Sequence, residues 1–225
     1  MQCQKRNKIK CSNLLPVNKE PKLTLSADEL QLVNNRNWIL TKRIVMDKIN
    51  GFMGHLAARQ QNILTGKKDS LPQEVLAANA KISKGENYLQ LPFLVLDYPR
   101  YFKEENTFAV RTMFWWGNFF SVTMQLSGKY KQQYQQNLLD NYEAIKQNGY
   151  FLNVHASQWH HHFEEDNYKA VNEISKDEMA AIIGQKDFLK LAAQFPLQQW
   201  QQIPSLLENT FTNFFELLLY QLPRR

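Results

Sequence analysis

The sequence predicts an α+β fold: an antiparallel sheet of about four strands with an N-terminal long helix and a C-terminal helical layer. Three observations carry that expectation. Helical spacing of apolar residues gives way to strand-like runs at Leu91, a Gly117-Asn118 pair separates two such runs, and helical spacing returns from Tyr130. The stretch from Tyr88 to Phe120 holds 11 of the chain's 28 aromatic residues, which places an aromatic hairpin at the centre of the domain.

The chain has 225 residues and a net charge of +6. Residues 1–22 carry six of the basic groups against Glu20 alone, so +5 of that charge belongs to a tail and only +1 to the remaining 203 residues. The expected organisation is a flexible basic tail over 1–22 and one globular domain over 23–225. Nucleic-acid binding is disfavoured, because it calls for a basic stripe on the folded body. Cys3 and Cys11 both fall in the tail, too few for a zinc knuckle. With neither a spanning apolar run nor a leader-like N-terminus, no membrane contact and a cytoplasmic location are expected.

Ser26 followed by Glu29 forms a capping box and starts a first helix at Ala27. Asn34-Asn35 interrupts it. A longer helix follows from Arg36 to about Leu64, with Trp38, Val45, Ile49, Phe52, Leu56 and Ile63 at helical steps. Gly51 and Gly54 within it suggest a close neighbour or a kink. A short helix is expected from Gln73 to Ala80. The first strand, Leu91 to Leu96, is ended by Asp97 and Pro99.

Strands at 107–115 and 119–126 flank the Gly117-Asn118 turn. A three-residue loop including Trp116 pairs Phe114 with Phe120, Thr112 with Val122, Val110 with Met124 and Phe108 with Leu126. That register gathers the apolar side chains on one face, with Gly117 at positive φ. The opposite face then carries Arg111, Met113 and Trp115 beside Ser121, Thr123 and Gln125. A helix from Tyr130 to Gln147, a strand from Tyr150 to Ala156, and a helix opened by Ser175 and resuming beyond Gly184 to Gln194 complete the middle of the chain. The last helix, Ser205 to Leu222, is apolar on more than one side, as core or homodimer interface.

The sequence contains no phosphate loop, dinucleotide fingerprint, nucleophile elbow or His-Glu-x-x-His. Two constellations remain. The mixed sheet face combines a guanidinium with aromatic and small polar side chains, chemistry suited to a small anionic or aromatic ligand. Its expected ligand-binding residues are Arg111, Trp115, Thr123 and Gln125, with Arg100 and the Lys84–Tyr88 turn as further contacts. Alternatively, a helix covers that face and Arg111 pairs with a carboxylate such as Asp97.

The second constellation is the segment His155 to Asp166, with four histidines and three carboxylates in 12 residues. In extended chain His160, His162 and Glu164 project to one side, the spacing of a metal site that activates water. The functional expectation is therefore a binding or interaction module without a resident cofactor. The alternative is a metal-assisted hydrolase holding a divalent ion at His160, His162 and Glu164.

Overall fold

The computed structural model describes residues 23–219, so the basic tail and both cysteines lie outside the described residues. The chain divides into two compact units, with the boundary between Arg43 and Ile44. In the first, α1 (Ala27–Asn34) is opened by the expected capping box: Ser26 Oγ accepts from the Glu29 amide, and Glu29 reaches back to the Ser26 amide. Asn35 then caps the start of α2 (Arg36–Thr65) through its side chain and the Trp38 amide. The apolar side chains here, Leu30, Val33, Trp38 and Ile39 among them, are exposed.

The second unit is built on a seven-stranded sheet, antiparallel throughout, in the order β1-β2-β3-β4-β7-β5-β6. The strands are β1 (Lys81–Tyr88), β2 (Leu91–Lys103), β3 (Asn106–Trp115), β4 (Phe119–Ser127), β5 (Phe151–Asn153), β6 (Tyr168–Ala170) and β7 (Phe188–Pro196). Seven strands replace the expected four. Residues 81–88, expected as a turn, pair along β2 as an edge strand of polar residues. Residues up to Gln194, expected as helix, instead form from Phe188 a strand that runs on to Pro196 and lies between β4 and β5.

Strand β2 also runs on past Asp97 and Pro99. A register shift between Asp97 and Arg100 absorbs the cis Tyr98–Pro99 pair, so the missing proline N–H interrupts no regular ladder. The expected β3–β4 register is present in full, from Phe108 opposite Leu126 to Phe114 opposite Phe120, with Gly117 at φ +74°.

One face of the sheet bears the main core. Met46, Ile49, Met53 and Leu56 of α2 join Phe108, Val110, Phe114, Phe120, Val122 and Met124 of the sheet in a single cluster. That cluster also takes in α4 (Gly128–Asp140), α5 (Tyr142–Gln147), α6 (Lys176–Gly184) and α7 (Ile203–Leu219), with the single-turn α3 (Gln73–Leu76) against β2. The apolar residues of α7, Leu207, Phe211, Phe214, Phe215 and Leu218, are completely buried in this core. The face of the expected helix that carries these residues is core, and its residues 220–222 lie outside the described residues. Gly51 and Gly54 have open space where a side chain would stand, so no close neighbour explains them.

Candidate functional site

The second face of the sheet divides into an apolar half and a polar half. Val95, Met113, Trp115 and Phe119 form a small cluster at one end, joined by Tyr88, Phe93 and Phe163. Trp115 donates its indole N–H to the Tyr88 carbonyl at 3.2 Å and is nearly buried. At the other end the alternation of β2, β3, β4 and β7 brings Asp97, Arg111, Thr123, Gln125 and Lys190 to the same side, since Asp97 lies opposite Arg111, Arg111 opposite Thr123 and Gln125 opposite Lys190.

This polar half is covered by residues 154–167, the segment between β5 and β6, and not by a helix. Its base is clamped by two asparagines: Asn153 donates to the carbonyl and side-chain oxygens of Asn167 at 3.0 and 2.7 Å, and Asn167 donates to the His162 carbonyl. Both asparagines are buried and hydrogen-bonded, as buried amides must be. Phe163 packs between Phe119, Phe151 and Tyr168 and closes the apolar half.

Four strands reach up to hold the cover. From β1, the Tyr88 hydroxyl accepts from the His161 and His162 amides at 2.7 and 3.1 Å. From β4, Gln125 donates to the Gln158 side chain at 2.6 Å. From β7, Lys190 donates to the carbonyls of Gln158 and His160 at 3.0 and 2.6 Å. From β3, Arg111 approaches His161 Nε2 at 2.9 Å.

Arg111 is bound to Asp97 through two parallel hydrogen bonds of 2.7 and 2.8 Å, the fork geometry that fixes a guanidinium most firmly. His161 Nε2 accepts from Arg111, which requires a neutral ring. Burial and the neighbouring charges of Lys190 and Arg111 hold its pKa well below the usual range, in agreement. Two of the five guanidinium N–H groups remain for a further acceptor.

Lys190 is 1% exposed, and its ammonium lies over the Tyr168 ring. Among the described residues it forms no ion pair with a carboxylate. Burial, aided by the charges of Arg111 and Lys186, pulls its pKa down to about 7. Arg111, Lys190, Asp97, Thr123, Gln125 and His161 line one cavity of about 10 Å³, the room of a single water molecule, with the exposed Trp159 and Phe102 at its rim.

Of the residues expected to bind a ligand, Arg111, Thr123 and Gln125 are thus brought together. Trp115 belongs to the apolar half, and Arg100, beyond the register shift, does not line the cavity. The metal set is not assembled. His162 lies 3.2 Å from Asp166 and 3.3 Å from the Tyr88 hydroxyl; the Glu164 carbonyl caps the Asn167 and Tyr168 amides while its side chain is exposed. His155 and His162 flank His160 at ring distances of 4.0 and 5.4 Å, yet no group of three His, Cys, Asp or Glu among the described residues is disposed to hold a metal.

Lys190 is absent from the expected site residues, and Tyr88, expected in a turn contacting the ligand, instead holds the cover from the end of β1. Lys190 sits in a stretch expected as helix, although the alternation of Leu189, Leu191 and Ala193 against Phe188, Lys190 and Ala192 is the strand signal that would have placed it. Volume alone favours another place, a concavity of about 690 Å³ lined by Glu104, Glu105, Lys131, Lys186 and Asp187. Its lining carries three carboxylates against two lysines, and both lysines bond to oxygens, Lys131 to the Lys186 carbonyl and Lys186 to the carbonyl and side-chain oxygens of Asn153, so it lacks the excess of cations found around Arg111 and Lys190.

No known protein family matches this chain, and no curated protein is similar to it in sequence. Among the described residues, no helix is long and apolar enough to cross a membrane.

Proposed function

We infer that the protein is a binding module for a small carboxylate-bearing ligand, held on the sheet face between Arg111 and Lys190 beneath the 154–167 segment. One observation supports this above others: two cations line one small cavity whose single carboxylate, Asp97, is already committed to Arg111. Lys190 has backbone carbonyls as its hydrogen-bond partners, and a ligand carboxylate is a stronger partner for it than those.

A cavity of about 10 Å³ holds no such ligand with the segment closed. Entry therefore requires residues 157–162 to lift. The bonds that lifting breaks are those from Tyr88, Gln125, Lys190 and Arg111, and a bound anion replaces two of the four anchors.

Calorimetric titration with acetate, lactate and succinate tests the reading. Saturable one-site heat with at least one of them is expected for the wild-type chain, weakened by about tenfold or more in Arg111→Ala. Absence of saturation with all three, or equal affinity in the variant, overturns it.

A further inference from the structure

We propose that Lys190 is a nucleophilic amine that condenses with the ketone of a small 2-oxo acid whose carboxylate is bound by Arg111. The inference rests on the ligand reading above and names its substrate class.

The arrangement of the amine carries it. An uncharged lysine has two N–H donors and one lone pair. With the segment closed, Lys190 donates to two acceptors, the Gln158 and His160 carbonyls, which satisfies both N–H groups of the uncharged amine without using its lone pair; lifting the segment opens that lone pair to a carbonyl carbon on the same sheet face. The groups around it favour that state. It lies in the sheet interior, near the cations Arg111 and Lys186 and beside His161, itself held neutral; the single carboxylate of the cavity, Asp97, is tied to Arg111. Desolvation and a neighbouring cation are the two devices by which a lysine becomes nucleophilic near neutral pH.

Arg111 supplies the second half. A 2-oxo acid carries its carboxylate on the carbon next to its ketone, so a ligand whose carboxylate takes Arg111 as the segment lifts presents that ketone to the same sheet face, where Lys190 stands. Aldehydes and simple ketones lack the anchor. The Nζ lone pair adds to the carbonyl carbon to give a carbinolamine. The carbonyl oxygen then leaves as water, taking both hydrogens from the amine nitrogen, and a C=N bond joins Lys190 to the former keto carbon. No oxidant or reductant is needed.

The experiment is reductive trapping on the full chain. Wild-type protein is incubated with pyruvate and sodium cyanoborohydride, and modified lysines are located by peptide mass spectrometry. A dominant adduct on Lys190 is expected. Arg111→Ala should lower its yield by about tenfold or more with pyruvate, yet change labelling by acetaldehyde much less. Lactate, which has the carboxylate without the ketone, should protect Lys190 in the wild-type chain, a test that does not depend on any variant folding. Labelling spread over exposed lysines with Lys190 unmodified overturns the proposal. If lactate then still binds calorimetrically, the imine fails and the ligand reading stands; if it does not bind, both fail.

Discussion

Lys190 Nζ stands 2.6 Å from the His160 carbonyl oxygen, a bond between the middle of the sheet and the backbone of the segment that covers it. A buried lysine thereby holds a loop in place, where a tighter partner for the lysine would release it.

The first consequence concerns pH. Folded, Lys190 is lowered to about 7, against an ordinary value of 10.5 in the unfolded chain. Between those values the unfolded state binds a proton that the folded state does not, so stability rises with pH across the window, and below it the burial penalty is felt in full. Lys186, lowered to about 8 by burial, acts in the same sense over a narrower window. Tyrosines raised by burial, such as Tyr150, act only in alkali. Urea unfolding from about pH 7 to 9.5 should show stability increasing, at no more than about 1.4 kcal/mol per pH unit for one proton. Lys190→Met should flatten most of that rise; an unchanged slope in the variant would rule out Lys190 as its source.

Asp97 and Arg111 should behave as a coupled pair. Asp97→Asn leaves a partly buried guanidinium without its counter-charge and should destabilise the fold by roughly 2–4 kcal/mol. Removing both charges, as Asp97→Asn with Arg111→Met, should recover part of that loss. A double-mutant cycle by denaturant unfolding reads the coupling, and additive single effects would show that the pair does not act as a unit.

Tyr88→Phe removes the acceptor shared by the His161 and His162 amides. The core does not depend on it, so thermal unfolding should shift little. Amide exchange at His161 and His162 should instead speed up by about tenfold, corresponding to one lost hydrogen bond. Equal protection in wild type and variant would mean that the segment is held without this hydroxyl.

On the opposite face, Phe114→Ala truncates a ring packed on Phe120 and Trp116 at 2% exposure. A loss of roughly 3–5 kcal/mol is expected. A loss below about 1 kcal/mol would contradict its placement in the main core.

The hairpin at the centre was legible because a period-two pattern and a turn of fixed length leave one register that buries Phe108, Val110, Phe114, Phe120, Val122 and Met124 together. The same logic placed Arg111, Thr123 and Gln125 on one face. Strand β7 escaped because Ser175 and Glu178 open a helix just upstream and Phe188 to Pro196 also fits helical spacing. Edge strand β1 is polar, and its pairing comes from backbone bonds to β2 that side chains do not announce. In the histidine-rich segment much of the bonding is backbone, which residue type does not announce: two amides go to Tyr88 and two carbonyls to Lys190, beside the His161 side chain on Arg111 and the Gln158 side chain on Gln125.

Hydrogen–deuterium exchange over residues 157–162, with and without saturating lactate, tests the account most directly. A carboxylate that takes Lys190 and Arg111 from the covering segment should accelerate exchange of the His161 and His162 amides in the wild-type chain and leave the β3–β4 core amides unchanged. Exchange in this segment that is unaltered or slowed by lactate would contradict a ligand bound beneath it in place of its anchors.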